Sequence, residues 1–237
     1  MALPRLNELP EYEMVIPSTK KTVKFRPFLV KEQKVLLMAF ESKETKQILN
    51  AISNTIEACI DDVDTTELAN FDIDYMFAQI RAKSVGESAK VVLPCNECEH
   101  KNNVQVNLDQ AKLTSEPKDN IVKISDAISI RMKYPTYHDI KNNLIVLNQD
   151  STATEIALET IKMSLHSVLT EEEAILIKDE PAEEVDRFIE SLTADQFEKL
   201  TDFIKDVPKL ELDIDYDCEG CGKHNSRKVT GLEDFFF

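Results

Sequence analysis

Glycine and tryptophan are scarce in this sequence, whose 237 residues include 4 glycines and no tryptophan. So few glycines leave no glycine-rich loop that could cradle a phosphate group, which excludes Rossmann and P-loop nucleotide sites. The 4 histidines form no cluster, and neither an HExxH nor a GxSxG motif occurs. These absences remove the common enzyme signatures, and we expect a protein that is not an enzyme.

Long apolar runs and a basic leader are also missing. No uncharged apolar run approaches the roughly 18 residues that a membrane-spanning helix needs. The N-terminal stretch MALPRLNELPEYE lacks the basic and then apolar order of a secretion signal. We therefore expect a soluble intracellular protein that makes no contact with a membrane.

Acidic residues dominate the charge. The chain has 28 Lys and Arg against 44 Asp and Glu, which gives a net charge of −16. An acidic surface repels phosphate backbones, so we expect no direct binding to nucleic acid. Residues 168–200 hold eleven acids and three bases, whereas residues 20–34 hold six bases and one acid. This pattern is typical of solvated helix faces beside a basic hairpin, and it also fits a dipolar molecule that docks its acidic end on a basic protein.

Hydrophobic periodicity predicts an α+β protein that begins with a hairpin and helices in residues 1–86. Val23 and Phe25 alternate with polar neighbours, which is typical of a half-buried strand. Beyond Pro27 the apolar spacing becomes helical, and a short helix is predicted from Tyr75 to Val85.

The remainder of the chain divides into strands and a helical block. Residues 87–134 and 208–237 alternate as strands, and we assign them to one discontinuous β module. Residues 135–207 are mainly helical, with capping boxes at Thr152 and Thr193. One apolar stripe of this acidic helical insertion consists of Ala157, Ile161, Leu165 and Val168.

Two CxxC pairs are the strongest chemical signal, and they consist of Cys95, Cys98, Cys218 and Cys221. Two residues between cysteines let a tight turn aim both thiolates at one point, which is half of a tetrahedral zinc site. Each pair follows a predicted strand and precedes a polar strand. Gly220 and Gly222, and Asn96 in the first pair, would allow backbone with positive φ in these turns. The pattern predicts a zinc-ribbon-like module with one Zn²⁺ ion.

The separation of the two pairs departs from an ordinary ribbon. Residues 99–217 lie between them, whereas ribbons usually separate their pairs by roughly 15–20 residues. The helical block would therefore be an insertion within the ribbon. Because four thiolates leave no open coordination position, the zinc would be structural rather than catalytic.

Other interpretations of the cysteines stay open. The pairs could be redox-active, they could belong to a disulfide framework, or they could be two unrelated turns. His100 or His224 could replace a cysteine as a ligand, but a position beside the site or in solvent, without binding the ion, is the favoured interpretation of each. Cys59 falls on a helical apolar stripe, and we interpret it as a core thiol.

The stretch LPRLNELPEYEMVIPSTKKTVKFRPFLVKEQKVLLMA resembles the baseplate hub assembly proteins of contractile-tailed, T-even-like bacteriophages. The likeness rests on a Leu-Pro-rich lead, on the turn at residues 17–21 and on the RPFLVKE signature at residues 26–32. The chain length and the two distant CxxC pairs also resemble this family.

The resemblance implies a non-enzymatic late protein that builds the phage tail hub through contacts with hub proteins. It could act as an assembly factor or chaperone in the host cytoplasm, or stay as a hub component in the virion's tail baseplate. A zinc-ribbon adaptor of transcription or replication machinery is the alternative, favoured by the basic cluster at residues 20–34 but opposed by the net charge of −16. The terminal residues Phe235, Phe236 and Phe237 could pack on the ribbon or anchor a partner.

Overall fold

In the computed structural model, which describes residues 9–118, 120–139 and 152–231, the chain divides into two units. The first unit is built from residues 1–116 and 208–237, and the second from residues 117–207. Helices and small antiparallel sheets occur in both, which agrees with the predicted α+β class. Within the described ranges, no helix is long and apolar enough to cross a membrane.

The first unit begins with the predicted hairpin. Strands β1 (Tyr12–Val15) and β2 (Thr22–Phe25) pair antiparallel, with Met14 opposite Val23. Alternate residues of a strand point to the same face, so Met14, Val23 and Phe25 are buried together while their neighbours face solvent. Alternation in the sequence was therefore a sufficient signal for this element.

Three helices follow the hairpin: α1 (Val30–Ser42), α2 (Thr45–Cys59) and α3 (Asn70–Val85). Helix α3 begins before the predicted start at Tyr75. The Asp72 carboxylate accepts a hydrogen bond from the Ala69 amide at 3.1 Å and so closes the first turn. Much of α3 is fully buried, including Ile73, Met76, Phe77 and Ile80.

The strands of the first unit form two further sheets. Strands β3 (Ser88–Pro94) and β4 (Lys101–Asn107) make a hairpin, and a 3₁₀ turn (Leu108–Gln110) follows it. The short β5 (Lys112–Leu113) pairs with β10 (Leu210–Asp217), which also pairs with β11 (His224–Thr230). Residues from α3, β3, β4, β10 and β11 share one hydrophobic core that includes Ala78, Leu93, Val106, Leu212 and Val229.

Among the described residues, the second unit contains a four-stranded antiparallel sheet and three helices of at least nine residues. The strands are, in sheet order, β6 (Ile121–Lys123), β7 (Ser129–Met132), β8 (Leu165–Leu169) and β9 (Ala174–Leu176). The helices are α4 (Ala153–Ser164), α5 (Ala182–Glu190) and α6 (Ala194–Lys205), with a 3₁₀ turn at Ile177–Asp179. The core of this unit includes Ile130, Met132, Ile161 and Leu200.

The boundaries of these units differ from the predicted domains in two places. Helix α3 shares its core with the strands that follow residue 86, so no boundary separates residues 1–86 from the cysteine-bearing sheets. The second unit begins at Pro117 rather than at residue 135. The reason is that β7 pairs with β8, so β7 belongs to the inserted unit. The insertion is therefore not purely helical, because it carries its own sheet.

The predicted helical stripe from Ala157 to Val168 also extends beyond the end of the observed helix. Helix α4 ends at Ser164, and Leu165 begins β8 opposite Met132. Leucine suits either helix or strand, so the periodicity could not distinguish them. Both predicted capping boxes are present: Glu155 N donates to Thr152 Oγ1 at 3.2 Å, and Gln196 N donates to Thr193 Oγ1 at 3.4 Å.

A partly buried ion pair connects the end of the hairpin to the start of α1. Glu32 Oε1 accepts a hydrogen bond from Arg26 Nη2 at 3.0 Å, and Glu32 Oε2 accepts one from the Leu29 amide at 2.8 Å. The same Arg26 nitrogen donates to the Ala58 carbonyl at 2.6 Å, near the end of α2. Burial raises the pKa of Glu32, but the hydrogen bonds from Arg26 and the Leu29 amide lower it by more, so the net shift is downward.

This shift predicts a pH-dependent contribution to stability. We expect Glu32→Gln to lower the free energy of unfolding by about 1–2 kcal/mol at neutral pH, because a hydrogen-bonded charge is lost. The contribution is complete above the ordinary Glu pKa of 4.5 and disappears as the pH falls through the lower folded-state value. Urea titrations of both proteins over a pH series measure the difference, which should shrink under acid. A difference that does not change with pH would contradict this role.

Candidate metal centre

The four CxxC cysteines converge at one end of the first unit. The loop between β3 and β4 carries Cys95 and Cys98, and the loop between β10 and β11 carries Cys218 and Cys221. The four Sγ atoms all lie within 4.8 Å of one another. Two sulfur pairs span the loops, Cys95–Cys221 at 3.7 Å and Cys98–Cys218 at 3.6 Å.

These distances fit a metal ion and not a disulfide. Thiolates that surround an ion tetrahedrally at about 2.3 Å are separated from one another by about 3.8 Å. A disulfide requires about 2.05 Å between its sulfur atoms, and all four thiols are free. The arrangement can therefore hold one metal ion, with one hairpin supplying each half of the ligand set.

The two cysteine loops have the same backbone structure. The amide of Cys95 donates to the His100 carbonyl at 2.9 Å, and the amide of Glu99 donates back to the Cys95 carbonyl at 3.0 Å. In the second loop the amide of Cys218 donates to the Lys223 carbonyl at 2.9 Å, and the amide of Gly222 donates to the Cys218 carbonyl at 2.9 Å. We call each of these loops a knuckle, residues 95–100 and 218–223.

The positive φ angles fall partly where the sequence predicted them. Gly222 has φ 71, as expected, and Glu99 occupies the equivalent position of the first knuckle with φ 58. The prediction that Asn96 and Gly220 would take positive φ was wrong. Gly220 is needed for another reason, because a Cβ atom there would lie 2.9 Å from His100 Cγ.

Backbone amides point at the buried sulfur of each knuckle. Glu97 N lies 3.4 Å from Cys95 Sγ, and Gly220 N lies 3.3 Å from Cys218 Sγ. The amides of Glu97 and then Cys98 lower the pKa of Cys95 to about 6. Burial raises the pKa of Cys218, but amide hydrogen bonds outweigh it and the net shift is downward. The amide hydrogen bonds of each knuckle therefore favour the thiolate form of its buried cysteine.

The exposed thiol of the first knuckle behaves differently. The His100 amide favours the thiolate of Cys98, but the Cys221 thiol, burial and the other two cysteines together raise the pKa of Cys98 to about 12. Ionising all four thiols at once places like charges side by side. A cation bound among them would offset that repulsion, which is the chemistry that a four-thiolate metal site provides.

Two buried asparagines connect the knuckles to each other. Asn102 Oδ1 accepts from the Glu219 amide at 2.8 Å, and Asn225 Oδ1 accepts from the Asn96 amide at 3.0 Å. Each side-chain amide also donates within its own knuckle, from Asn102 Nδ2 to the His100 carbonyl and from Asn225 Nδ2 to the Lys223 carbonyl, both at 2.9 Å. The two contacts are reciprocal, because each asparagine accepts from a backbone amide of the other knuckle.

Sequence reasoning missed these asparagines, although a signal was present. Asn102 follows Cys95 by the same number of residues as Asn225 follows Cys218. An equal offset of a buried polar residue in two equivalent loops indicates an equivalent role. Because each asparagine crosses to the other hairpin, the pair fixes the distance between the two halves of the cysteine cluster.

The candidate alternative ligands lie outside the cluster. Among the described residues, the group that could hold a metal ion contains the four cysteines and neither His100 nor His224. His224 Nδ1 instead contacts Asp217 Oδ1 at 3.0 Å. Cys59 is a buried residue of α2, as predicted, and burial raises its pKa to about 11.

The chain matches the family model described as T4 bacteriophage base plate protein over residues 9–237. It belongs to this family. No curated protein and no solved structure matches the chain. The resemblance that the N-terminal signature indicated is therefore confirmed at the level of the family.

The base plate family match covers the whole candidate site. Both knuckles and both asparagines fall within residues 9–237. The RPFLVKE signature at residues 26–32, which joins the hairpin to α1, falls within the same range. The terminal phenylalanines Phe235, Phe236 and Phe237 lie outside the described residues.

Proposed function

We propose that this base plate protein acts in the assembly of the phage tail hub through protein–protein contacts and catalyses no reaction. The observation that carries the proposal is the family match over residues 9–237. Its partners would be other proteins of the base plate. Nothing in the comparisons favours the alternative of an adaptor for transcription or replication.

The metal that best suits the cysteine cluster is one structural Zn²⁺ ion, held by Cys95, Cys98, Cys218 and Cys221. Four thiolates in tetrahedral positions are a common zinc ligand set, and this set would leave the ion no open position for water or substrate. When bound, zinc would contribute free energy to folding and keep the two hairpins together. A closed ligand set of this kind supports a structural role and is the reason that we propose no catalysis at this site.

Charge supports the assembly-factor form of the proposal. The second unit exposes five glutamates, which are Glu171, Glu172, Glu173, Glu183 and Glu184. Exposed charge of one sign accelerates and orients encounters with an oppositely charged protein. An acidic unit of this kind could cover a basic hub surface in the host cytoplasm until the next subunit binds.

Quantitative mass spectrometry of purified virions, and of pulldowns of each hub protein from infected cells, tests this function. We expect the chain in a hub-protein pulldown and far below one copy per hub subunit in virions. Stoichiometric presence in virions would overturn the assembly-factor form and make the chain a base plate component. Absence from both samples would overturn the proposed role in the hub. A pulldown of a tail-sheath protein is the matched control and should not contain the chain.

A further inference from the structure

The solvent-facing side of α1 is unusually apolar. Of the ten large hydrophobic residues that are exposed in the described part of the chain, five lie within residues 29–38. Val30 is 79% exposed, Leu37 53% and Met38 60%. A surface helix normally places charged and polar residues on its outer face, and a cluster of exposed apolar side chains marks a site of interaction.

Three of these side chains, Val30, Leu37 and Met38, share one face of the helix. At 3.6 residues per turn, Val30, Lys34, Leu37 and Met38 lie on the side opposite the buried residue Leu36. We call this group of four residues the α1 face. Its opposite side is packed into the first unit, so α1 is held in place and the α1 face needs no rearrangement to be accessible.

The α1 face carries a lysine that forms no ion pair with the described residues, although an exposed acid, Glu41, follows it by seven residues on the same helix. Lys34 lies in the middle of the apolar side chains and has no carboxylate within ion-pair distance among the described residues. The neighbouring Lys31 lies 3.3 Å from Glu32, but that carboxylate is buried and already paired with Arg26 at 3.0 Å. A cation surrounded by apolar groups is complementary to a carboxylate set in an apolar surface.

We propose that the α1 face docks on a partner protein that presents an apolar groove with a carboxylate opposite Lys34. The inference rests on the proposed function, because the partner would be another base plate protein. The exposed apolar residues would fill the groove, and the ion pair would fix the register of the helix.

Two other occupants fit the α1 face less well. A symmetric contact with a second copy, with its two-fold axis at Lys34, would bring the two Lys34 cations together. The acidic second unit of another copy offers little apolar surface in return. Its exposed large hydrophobic residues, within the described ranges, are the separate side chains Ile121 and Ile156. Charge and apolar character together therefore favour a different protein.

Binding of the full chain to each purified base plate protein of the same phage tests the inference. We expect Leu37→Gln and Lys34→Glu each to weaken the binding of one such protein at least about tenfold. The matched controls are Ile156→Gln, an equal loss of apolar surface on α4, and Lys90→Glu, an equal charge change on β3, and both should bind like the wild type. All four side chains are exposed, so far-UV circular dichroism should remain unchanged.

The outcomes separate this inference from the proposed function. If the wild type and both α1 variants bind a base plate protein equally, the docking inference is wrong and the assembly role stands. If no base plate protein binds the wild type, both are wrong. Light scattering that shows a dimer, dissociated by Leu37→Gln, would assign the α1 face to a second copy instead. Binding of the wild type to phosphatidylglycerol vesicles alone would assign it to a lipid surface.

Discussion

Replacing Cys95 or Cys218 by serine should abolish stoichiometric zinc binding and lower the melting temperature of the first unit by about 10 °C or more. Both thiols are buried, so the serine hydroxyl would leave an incomplete ligand set without access to water. Structural zinc contributes about 10–16 kcal/mol in peptides that fold only around the ion. The first unit has a hydrophobic core of its own, so we expect it to lose only part of that amount.

Scanning calorimetry and metal analysis of the purified variants measure both effects. Cys59→Ala is the matched control, because it removes another buried thiol of the same unit that lies outside the cluster. This control should keep one zinc ion per chain even though its core packing is weakened. The cobalt-substituted wild type should show the absorption of four thiolate ligands. Full zinc content in Cys95→Ser and Cys218→Ser would contradict the assignment of the ligands.

The geometry of each cysteine pair could be predicted from sequence because it is local. A CxxC pair after a strand specifies a turn that directs both sulfur atoms to one point, and Cys95 and Cys218 each obey that rule. The convergence of the two pairs across residues 99–217 was predicted from chemistry, since each pair alone supplies half of a site. The structure brings all four Sγ atoms within 4.8 Å of one another.

The unit boundary could not be predicted in the same way because it depends on pairing between distant segments. The strand at Ser129–Met132 alternates like those of the cysteine-bearing sheets, and alternation alone does not identify its partner. Its partners are β6 and β8, and β8 was itself assigned to the end of a helix because Leu165 continues the apolar spacing of α4. Both errors have one cause. Hydrophobic periodicity is a property of one segment, whereas strand pairing depends on two segments.

The positive φ of Glu99 is another feature that the sequence did not predict. Glutamate rarely adopts positive φ, so no residue preference pointed to it. Gly222 adopts the same conformation at the equivalent position of the second knuckle. We therefore attribute the positive φ of both residues to the hydrogen bonds that the two knuckles share. Residue preference thus identified Gly222 correctly and missed Glu99 at the equivalent position of the first knuckle.

Asn102→Ala and Asn225→Ala should each weaken zinc binding by about ten- to a hundredfold while leaving the four thiolate ligands unchanged. Each asparagine would act without being a ligand, because its side-chain oxygen accepts a hydrogen bond from an amide of the opposite knuckle. Removing Asn102 leaves the Glu219 amide without its acceptor, which should also cost about 1–3 kcal/mol of stability. Competition with a chromophoric chelator measures the affinity, and the cobalt spectrum reports whether the ligand set is retained.

Asn103→Ala is the matched control, because Asn103 is the exposed neighbour on β4 and should bind zinc like the wild type. Since both asparagines hold the same two hairpins together, their effects should not add. We expect the double variant to lose less affinity than the two single variants combined, because the first substitution already frees the hairpins to separate. Wild-type affinity in both single variants would show that the cysteine loops are positioned without the asparagines. A cobalt spectrum with fewer thiolates would show instead that the asparagines are needed to bring the ligands together at all.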